Sequence, residues 1–458
     1  MNLSHTNDQQ RVKGIIAGSL FLYTLCLFLP GAYSVDSWNQ WREVTTKHFD
    51  DWYGTGMAST WRLLWIVTGS YASLYVTQMV LYWSFITLLL WRVPLRSFAY
   101  WITLGAALFF CFIPQYIMRD SLTVLEWAIA ALLLLYAGSN EAHRRKLTIL
   151  ALLLLAHGVW VRINAIVAFW PLAYVVILLL GKRLALWKRL LLTVAVSVVL
   201  LVAVQFITYR IQKAERLYPD YKLKLLDLAG ISRLSGENYF PAEINHYPAF
   251  HLDTLYARYT PASIDDIYWP EDHRPIFPYP NDSLNQAVSK SWAAAIRHHP
   301  VYYLENRLTG FLYYLRIKKR YAMVDYWNVA PFFIFPDNPL GLKHENTKLK
   351  TRITAAYGHF YRTPIFDPWL WLLLNGVGLG LFIRRYRRRP EKNYWLVHVC
   401  IQLSGVLFLL SQVLIYQHDR DFRYSYWNVI VAFLAVPGLF GGFGAGQKRQ
   451  GAGVSPAP

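Results

Sequence analysis

The sequence predicts an all-α polytopic membrane protein, a bundle of about ten transmembrane helices carrying one large outer segment. Three observations lead there. The 458 residues are 55% hydrophobic and only 16% charged, far below the charged fraction of about a quarter in soluble domains. Apolar runs of roughly 17 to 22 residues recur from Gly14 to Phe443, and each can cross a hydrocarbon core roughly 30 Å thick. Cys26, Cys111 and Cys400 all lie inside such runs, so no disulfide framework or paired-cysteine metal site is encoded.

In chain order the expected spans are 14–31, 71–91, 97–117, 122–138, 147–161, 165–181, 190–208, 366–383, 394–416 and 426–443. The first follows Arg11 and Lys13 as a signal peptide would, but no small-residue cleavage site precedes Asp36, which predicts an uncleaved helix. The fifth and sixth form a tight hairpin at Arg162-Ile163-Asn164. Residues 1–208 make an N-terminal transmembrane module whose first outer loop is 32–70. Residues 209–365 are too polar to span and form an outer segment, irregular at its Tyr218-Pro219-Asp220-Tyr221 start. Further on, Trp292, Ile296, Leu304, Leu308, Phe311 and Leu315 recur at helical spacing around His299-Pro300, which predicts interfacial helices. The C-terminal helices occupy 366–443, and 444–458 is a Gly/Pro-rich disordered cytoplasmic tail.

A net charge of +19 would point to nucleic acid in a soluble protein. Here the excess falls in one set of short loops, notably Arg144-Arg145-Lys146, Lys182-Arg183 and Arg384 to Arg389. Such bias sets orientation, so both termini are expected in the cytoplasm, with membrane lipids and no nucleic acid as partners. The 209–365 segment nearly balances its charges, which also argues against a nucleic-acid or anionic-lipid platform.

Polar residues gather at the opposite span ends. Asp36, Ser37, Trp38, Asn39 and Gln40 follow the first span, and Asp50-Asp51-Trp52-Tyr53 lie further along the same loop. A carboxylate held just past a rigid helix can act as a general base, whereas a loop aspartate is ordinarily solvated. Trp38, Trp41, Trp52, Trp61 and Trp65 suit either an aromatic belt or a sugar-stacking wall. Arg119-Asp120 and Arg162-Ile163-Asn164 stand at depths where charge marks a site, unless Arg119 pairs locally with Asp120 and Arg162 snorkels. Arg420, Arg423 and Tyr424 open the last span. Guanidiniums converging from these loops would make a phosphate site, because the planar fork donates two hydrogen bonds and stays charged. No phosphate-loop, zinc-protease or nucleophile-elbow motif competes.

The order of these clusters resembles the GT-C superfamily, integral-membrane glycosyltransferases that use polyprenyl-phosphate-linked sugars. The similarity is closer to a poorly characterised bacterial group within it, marked by Asp-Ser-x-x-Gln and Asp-Trp-His-Pro-Pro in the first loop. The matching residues are Asp36, Ser37, Gln40, Asp51, Trp52, Met57, Ala58, Trp61 and Arg62, then Arg119-Asp120-Ser121-Leu122, Arg162-Ile163-Asn164, Trp292 to Arg307, and Arg423-Tyr424. Where the group has His-Pro-Pro, this chain has Tyr53-Gly54-Thr55.

The resemblance implies a GT-C-like bundle and an inverting transfer, at the periplasmic face, from a polyprenyl-phosphate-linked sugar to a glycan or lipid acceptor. Asp36 would be the base, and Asp51 would orient Asp36, the acceptor or a divalent ion. Arg119, Arg162, Arg420 and Arg423 would hold the donor phosphate. Gln40, Trp52, Asp120, Asn164 and Tyr424 would line the substrate. The aromatic richness of 209–365 itself suits either a carbohydrate-facing lid, with Tyr268 and Trp269 over the site, or a hold on the membrane boundary. No cofactor is specified by the residues, and a divalent metal is compatible but not required. Two other activities fit parts of the pattern: a flippase of lipid-linked saccharides, and an O-acyltransferase using His157 or His398.

Overall fold

The computed structural model describes residues 3–91, 93–181, 183–268, 276–318, 329–415 and 421–440. The N-terminal half contains α1 (Leu3–Phe28), α2 (Val35–Thr46), α3 (Thr55–Thr68), α4 (Ser73–Leu90), α5 (Phe98–Phe109), α6 (Phe112–Gln115), α7 (Arg119–Ser139), α8 (Arg144–Val161), α9 (Ile166–Leu180) and α10 (Leu186–Phe206). The polar segment holds α11 (Asp220–Ser235), α12 (Ala242–Asn245), α13 (Leu252–Arg258), α14 (Asp265–Tyr268), α15 (Asp282–His298), α16 (Pro300–Tyr314) and α17 (Lys348–Phe360). The chain closes with α18 (Pro368–Arg388), α19 (Lys392–Leu410), α20 (Gln412–Ile415) and α21 (Tyr426–Leu439). Among the described residues, β pairing is limited to isolated bridges.

Seven helical stretches among the described residues are long and apolar enough to cross a membrane: Asp8–Phe28, Ser73–Leu90, Phe98–Gln115, Arg119–Ser139, Ile163–Leu180, Leu186–Ile211 and Lys392–Ile415. The protein is therefore an α-helical, multi-pass membrane protein. The three remaining expected spans are helices too. However, α8 opens with Arg-Arg-Lys, α18 ends in four arginines among its last five residues, and α21 has 14 residues.

At the centre, α7 packs against α4, α8, α19 and α21. The α7–α8 contact is close because Gly158 carries no side chain: a Cβ there would collide with the Trp127 indole. Trp127 Nε1 then reaches the Leu155 carbonyl at 3.2 Å. At the periphery, only 17% of the α10 span is buried against 78% of α7, so most of its apolar surface is left for lipid. At the end remote from Asp36, Lys13 Nζ donates to the carbonyls of Trp91 (3.1 Å) and Val93 (2.5 Å), satisfying acceptors beyond α4.

The polar segment has its own core, in which Tyr221, Leu225, Leu228 and Ile231 of α11 meet Phe277 and Val288. The segment starts irregularly over 212–219, and α11 begins at Asp220. Pro219 stands at its N-cap, φ −59°, where a missing N–H costs no helical bond. The helix break at His299-Pro300 is present, between α15 and α16. Val301, Leu304 and Leu308 of α16 are exposed at spacings of three and four, an apolar stripe on an otherwise packed helix.

Candidate functional site

Asp36 sits in the first turn of α2, whose start is fixed by a reciprocal cap between Ser34 and Ser37. The turn is stitched to the strand-like stretch before α7. Ala32 N–H donates to the Gln115 carbonyl at 2.8 Å, Ile117 N–H to the Ala32 carbonyl at 3.0 Å, and Ser37 Oγ to the Ile117 carbonyl at 2.6 Å. These bonds hold Asp36 against the Arg119-Asp120 turn. Tyr33 is tied in turn to Phe333 and Phe335, which joins the polar segment to the same frame.

Around Asp36 the sequence-distant charges meet. Arg423 Nη1 donates to Asp36 Oδ2 at 2.5 Å and its Nη2 to Asp421 Oδ2 at 2.8 Å, while its Nε lies 4.0 Å from Asp120 Oδ2. Asp120 also pairs with Arg162, whose guanidinium lies 4.9 Å from the Tyr424 ring centre. Tyr53 Oη donates to Asp36 Oδ1 at 3.1 Å and accepts from Asn39 Nδ2 at 3.1 Å. Arg119 Nη1 donates to the Tyr53 carbonyl at 2.7 Å. Asp36 and Asp120 occupy first turns and Arg162 caps the end of α8, so each charge complements its helix dipole.

The electrostatic result is a carboxylate kept ionised. Burial pushes Asp36 up, but the charge and hydrogen bond of Arg423, then Arg119 and the Tyr53 hydroxyl, outweigh it and hold the group below the usual carboxylate range. Burial and the neighbouring Asp36 charge raise Tyr53, so its proton stays on the phenol. Asp36 retains 28% side-chain exposure against 14% for Asp421 and 2% for Asp120, so it is the carboxylate of this cluster most open to a ligand.

Other expected residues are placed differently. Asp120 does not pair locally with Arg119, and Arg162 does not snorkel: it is 4% exposed and bonded to Asp120. The long-range pair wins because Arg119 is turned toward the loop carbonyls of residues 52 and 53. Asp51 accepts from Tyr209 Oη at 2.8 Å and from Leu217 N–H at 2.7 Å, so it anchors the polar segment to the first loop. Gln40 is buried one turn beyond Asp36, and Asn164 is exposed. Trp38, Trp41 and Trp61 form neither belt nor sugar wall. They are buried, with Trp38 stacked on Tyr33 at 4.4 Å and Trp41 packed on Trp61 at 5.0 Å. His157 bridges Glu126 and Thr60, and His398 stacks on Phe382. Arg420 and Trp269 lie outside the described residues.

Three participants escaped the sequence reading. Tyr53, standing where the resembling group has histidine, supplies the hydrogen bond to Asp36, and that departure was its signal. Asp421 had only its place beside Arg423. Lys222, with no local motif, is buried between two aromatic faces, its Nζ 4.4 Å from the Trp52 ring and 4.6 Å from the Tyr268 ring. Burial lowers this ammonium to about 8, against the opposing pull of Asp265 and Asp36. The faces expected to stack on sugar are thus turned to a lysine, and Tyr268 is a buried clasp, 6% exposed, rather than an open lid.

Among the described residues, no group of three or more His, Cys, Asp or Glu side chains is arranged to hold a metal ion. Comparison of the chain with known protein families, with curated proteins and with solved structures finds no match.

Proposed function

We propose that this protein is a membrane glycosyltransferase of the GT-C type, which transfers a sugar with inversion from a polyprenyl-phosphate donor to a glycan or lipid acceptor. In this reading the chain crosses a bacterial inner membrane about ten times, with both termini cytoplasmic and with Asp36 and residues 209–365 on the periplasmic side. The observation that carries it is the partly exposed Asp36 carboxylate, held by Arg423 and Tyr53 within a cluster that also contains Arg119 and Arg162.

Asp36 takes the proton of the acceptor hydroxyl as its oxygen bonds to the anomeric carbon. The bond from that carbon to the phosphate oxygen breaks, and the electron pair leaves with the lipid phosphate. A phosphate departs as a stable anion, so a separate general acid is dispensable. The guanidiniums offset the charge that grows on the leaving group. Arg423 links the two halves of the reaction: a donor phosphate that draws it away removes the main force holding Asp36 below the usual carboxylate range. Donor binding thereby makes the base more basic.

Mass spectrometry of lipid-linked sugars and surface glycans tests the reading in cells carrying the wild-type gene, Asp36→Asn, or no gene. A hexose- or pentose-sized mass increment on the acceptor should be present only with wild type, with the donor lipid accumulating in the other two. Normal acceptor glycosylation with well-expressed Asp36→Asn would overturn it. Donor lipid moved across the membrane with no change in sugar linkage would instead establish a flippase.

A further inference from the structure

At the end of the bundle remote from Asp36, a cavity of about 430 Å³ opens between the α9–α10 and α18–α19 hairpins. Its volume falls in the range of small-ligand pockets, about 300–1,000 Å³. Arg189 lines it from α10 and Lys392 and Asn393 from α19, with Tyr386 of α18 beside them and Leu178 and Leu186 as an aliphatic wall. The first turns of α10 and α19, helices of 21 and 19 residues, both border it and bring backbone N–H groups and positive dipole ends. Lys392 is fixed there, because its ammonium donates to the carbonyls of Tyr386 at 2.6 Å and Arg387 at 3.1 Å, and one N–H of its three remains.

The surroundings carry one sign. Arg183, Lys188, Arg384, Arg385, Arg387, Arg388 and Arg389 lie on the two hairpins, against the single carboxylate Glu391. Loop charge alone would orient the chain without requiring a cavity. Here the cavity has a polar floor and an apolar wall, and that wall continues onto the α10 surface, where Leu186, Trp187, Leu190 and Leu191 are each more than half exposed. A ligand fitting both parts has an anionic head and hydrocarbon tails.

We propose that this cavity binds the phosphate headgroup of a membrane lipid, with its acyl chains lying along α10. The site is independent of the chemistry at Asp36. A phosphodiester in the cavity would accept hydrogen bonds from Arg189, Lys392 and the helix amides, and would bridge two hairpins whose facing cations otherwise repel one another.

Native mass spectrometry of the full-length protein released from detergent tests this, using phosphatidylglycerol and phosphatidylcholine at about 0.3 M salt, where exposed charges are largely screened. Wild type should retain phosphatidylglycerol selectively. The double variant Arg189→Gln/Lys392→Gln should lose about thirtyfold in retention, the effect of two basic groups at a membrane surface. The matched control Arg387→Gln/Arg388→Gln, outside the cavity, should lose less than about threefold because its charges are screened. Leu178→Trp fills the cavity without changing charge and should reproduce the double variant's loss, so a misfolded double variant would not leave the question open. Equal retention of both lipids, an equal loss in the control, or unchanged retention in Leu178→Trp would overturn the proposal. Displacement of the lipid by millimolar inorganic phosphate would overturn it as well, assigning the cavity to free phosphate.

Discussion

Asp36 with Arg423 and Asp227 with Arg307 are both carboxylate–guanidinium pairs, yet Asp36 keeps 28% of its side chain exposed while Asp227 keeps none. Asp227 Oδ2 accepts from Arg307 Nη2 at 2.6 Å and Trp292 Nε1 at 2.8 Å, which locks α11 to α15 and α16. Burial raises that carboxyl above its usual range despite Arg307, whereas at Asp36 the arginines prevail and the carboxyl is lowered. A pair sealed on every side acts as a strut, because no ligand can replace either partner without unfolding the segment. A pair with solvent at its edge can exchange partners, and only the cluster at Asp36 has further guanidiniums within electrostatic reach.

The largest test of that contrast is a pair of aspartate replacements. Asp36→Asn should lower transfer by about 10²–10⁴-fold, the scale of a lost general base, while leaving yield and melting temperature close to wild type. Asp227→Asn should do the reverse, costing about 3–5 kcal/mol of stability by stranding Arg307, visible as lost expression or a lowered melting temperature. If the two variants behave alike in both assays, the distinction between site and strut collapses.

Arg423→Gln should lower kcat by about 10²–10³-fold, as for removal of one donor to developing negative charge. It should also move the acid limb of kcat/KM. Asp36 must be ionised to act, so activity is present above its pKa and lost as pH falls through it. With Arg423 in place that pKa lies below the usual carboxylate range, and removing the arginine leaves burial to push it up. The limb should therefore shift to higher pH. A limb that stays put while kcat falls would show that Arg423 does not act on Asp36.

Smaller effects come from Lys222 and Glu43. Burial lowers Lys222 from 10.5 to about 8 in the folded protein, so the fold favours the neutral amine and stability rises as pH climbs between those values. Lys222→Met should abolish that rise, read as resistance of the polar segment to proteolysis at pH 7 against pH 10, and the same rise in the variant would assign it to other groups. Glu43, buried and facing Asp50, is pushed up to about 9. The folded protein therefore holds a proton that the unfolded chain releases near 4.5, and stability falls as pH rises between those values. Glu43→Gln should flatten the slope of melting temperature over pH 5–9 and raise it by a few degrees at pH 8. An unchanged slope would assign the pH dependence to other groups.

How much of the site was legible beforehand varies residue by residue. Asp36, Arg119, Asp120, Arg162 and Arg423 stood out because charge beside an apolar run is costly and carries a visible signature in one dimension. Tyr53 was visible only as a departure from a motif. Lys222 was invisible, because a lysine in a polar stretch looks the same whether solvated or wedged between two rings. Trp38 and Trp41 misled for the converse reason: an indole near a span end suits an interface, a ligand or a core equally well, and only packing tells them apart.

The apolar runs determined by themselves that the chain spans a membrane as helices, since an unpaired peptide group in hydrocarbon costs too much for any other conformation of that length. They also determined that the charged residues cluster at span ends, and His299-Pro300 determined where a helix must break. Tertiary structure alone decided which charges meet. Asp36 and Arg423 are 387 positions apart and share no local pattern, so their 2.5 Å contact follows from how the helix ends are packed together. Periodicity specifies the buried face of each helix, but a salt bridge depends on the relative rotation and height of several helices at once. Arg162 consequently chose Asp120 over the headgroups, and Asp227 became a strut while Asp36 stayed open.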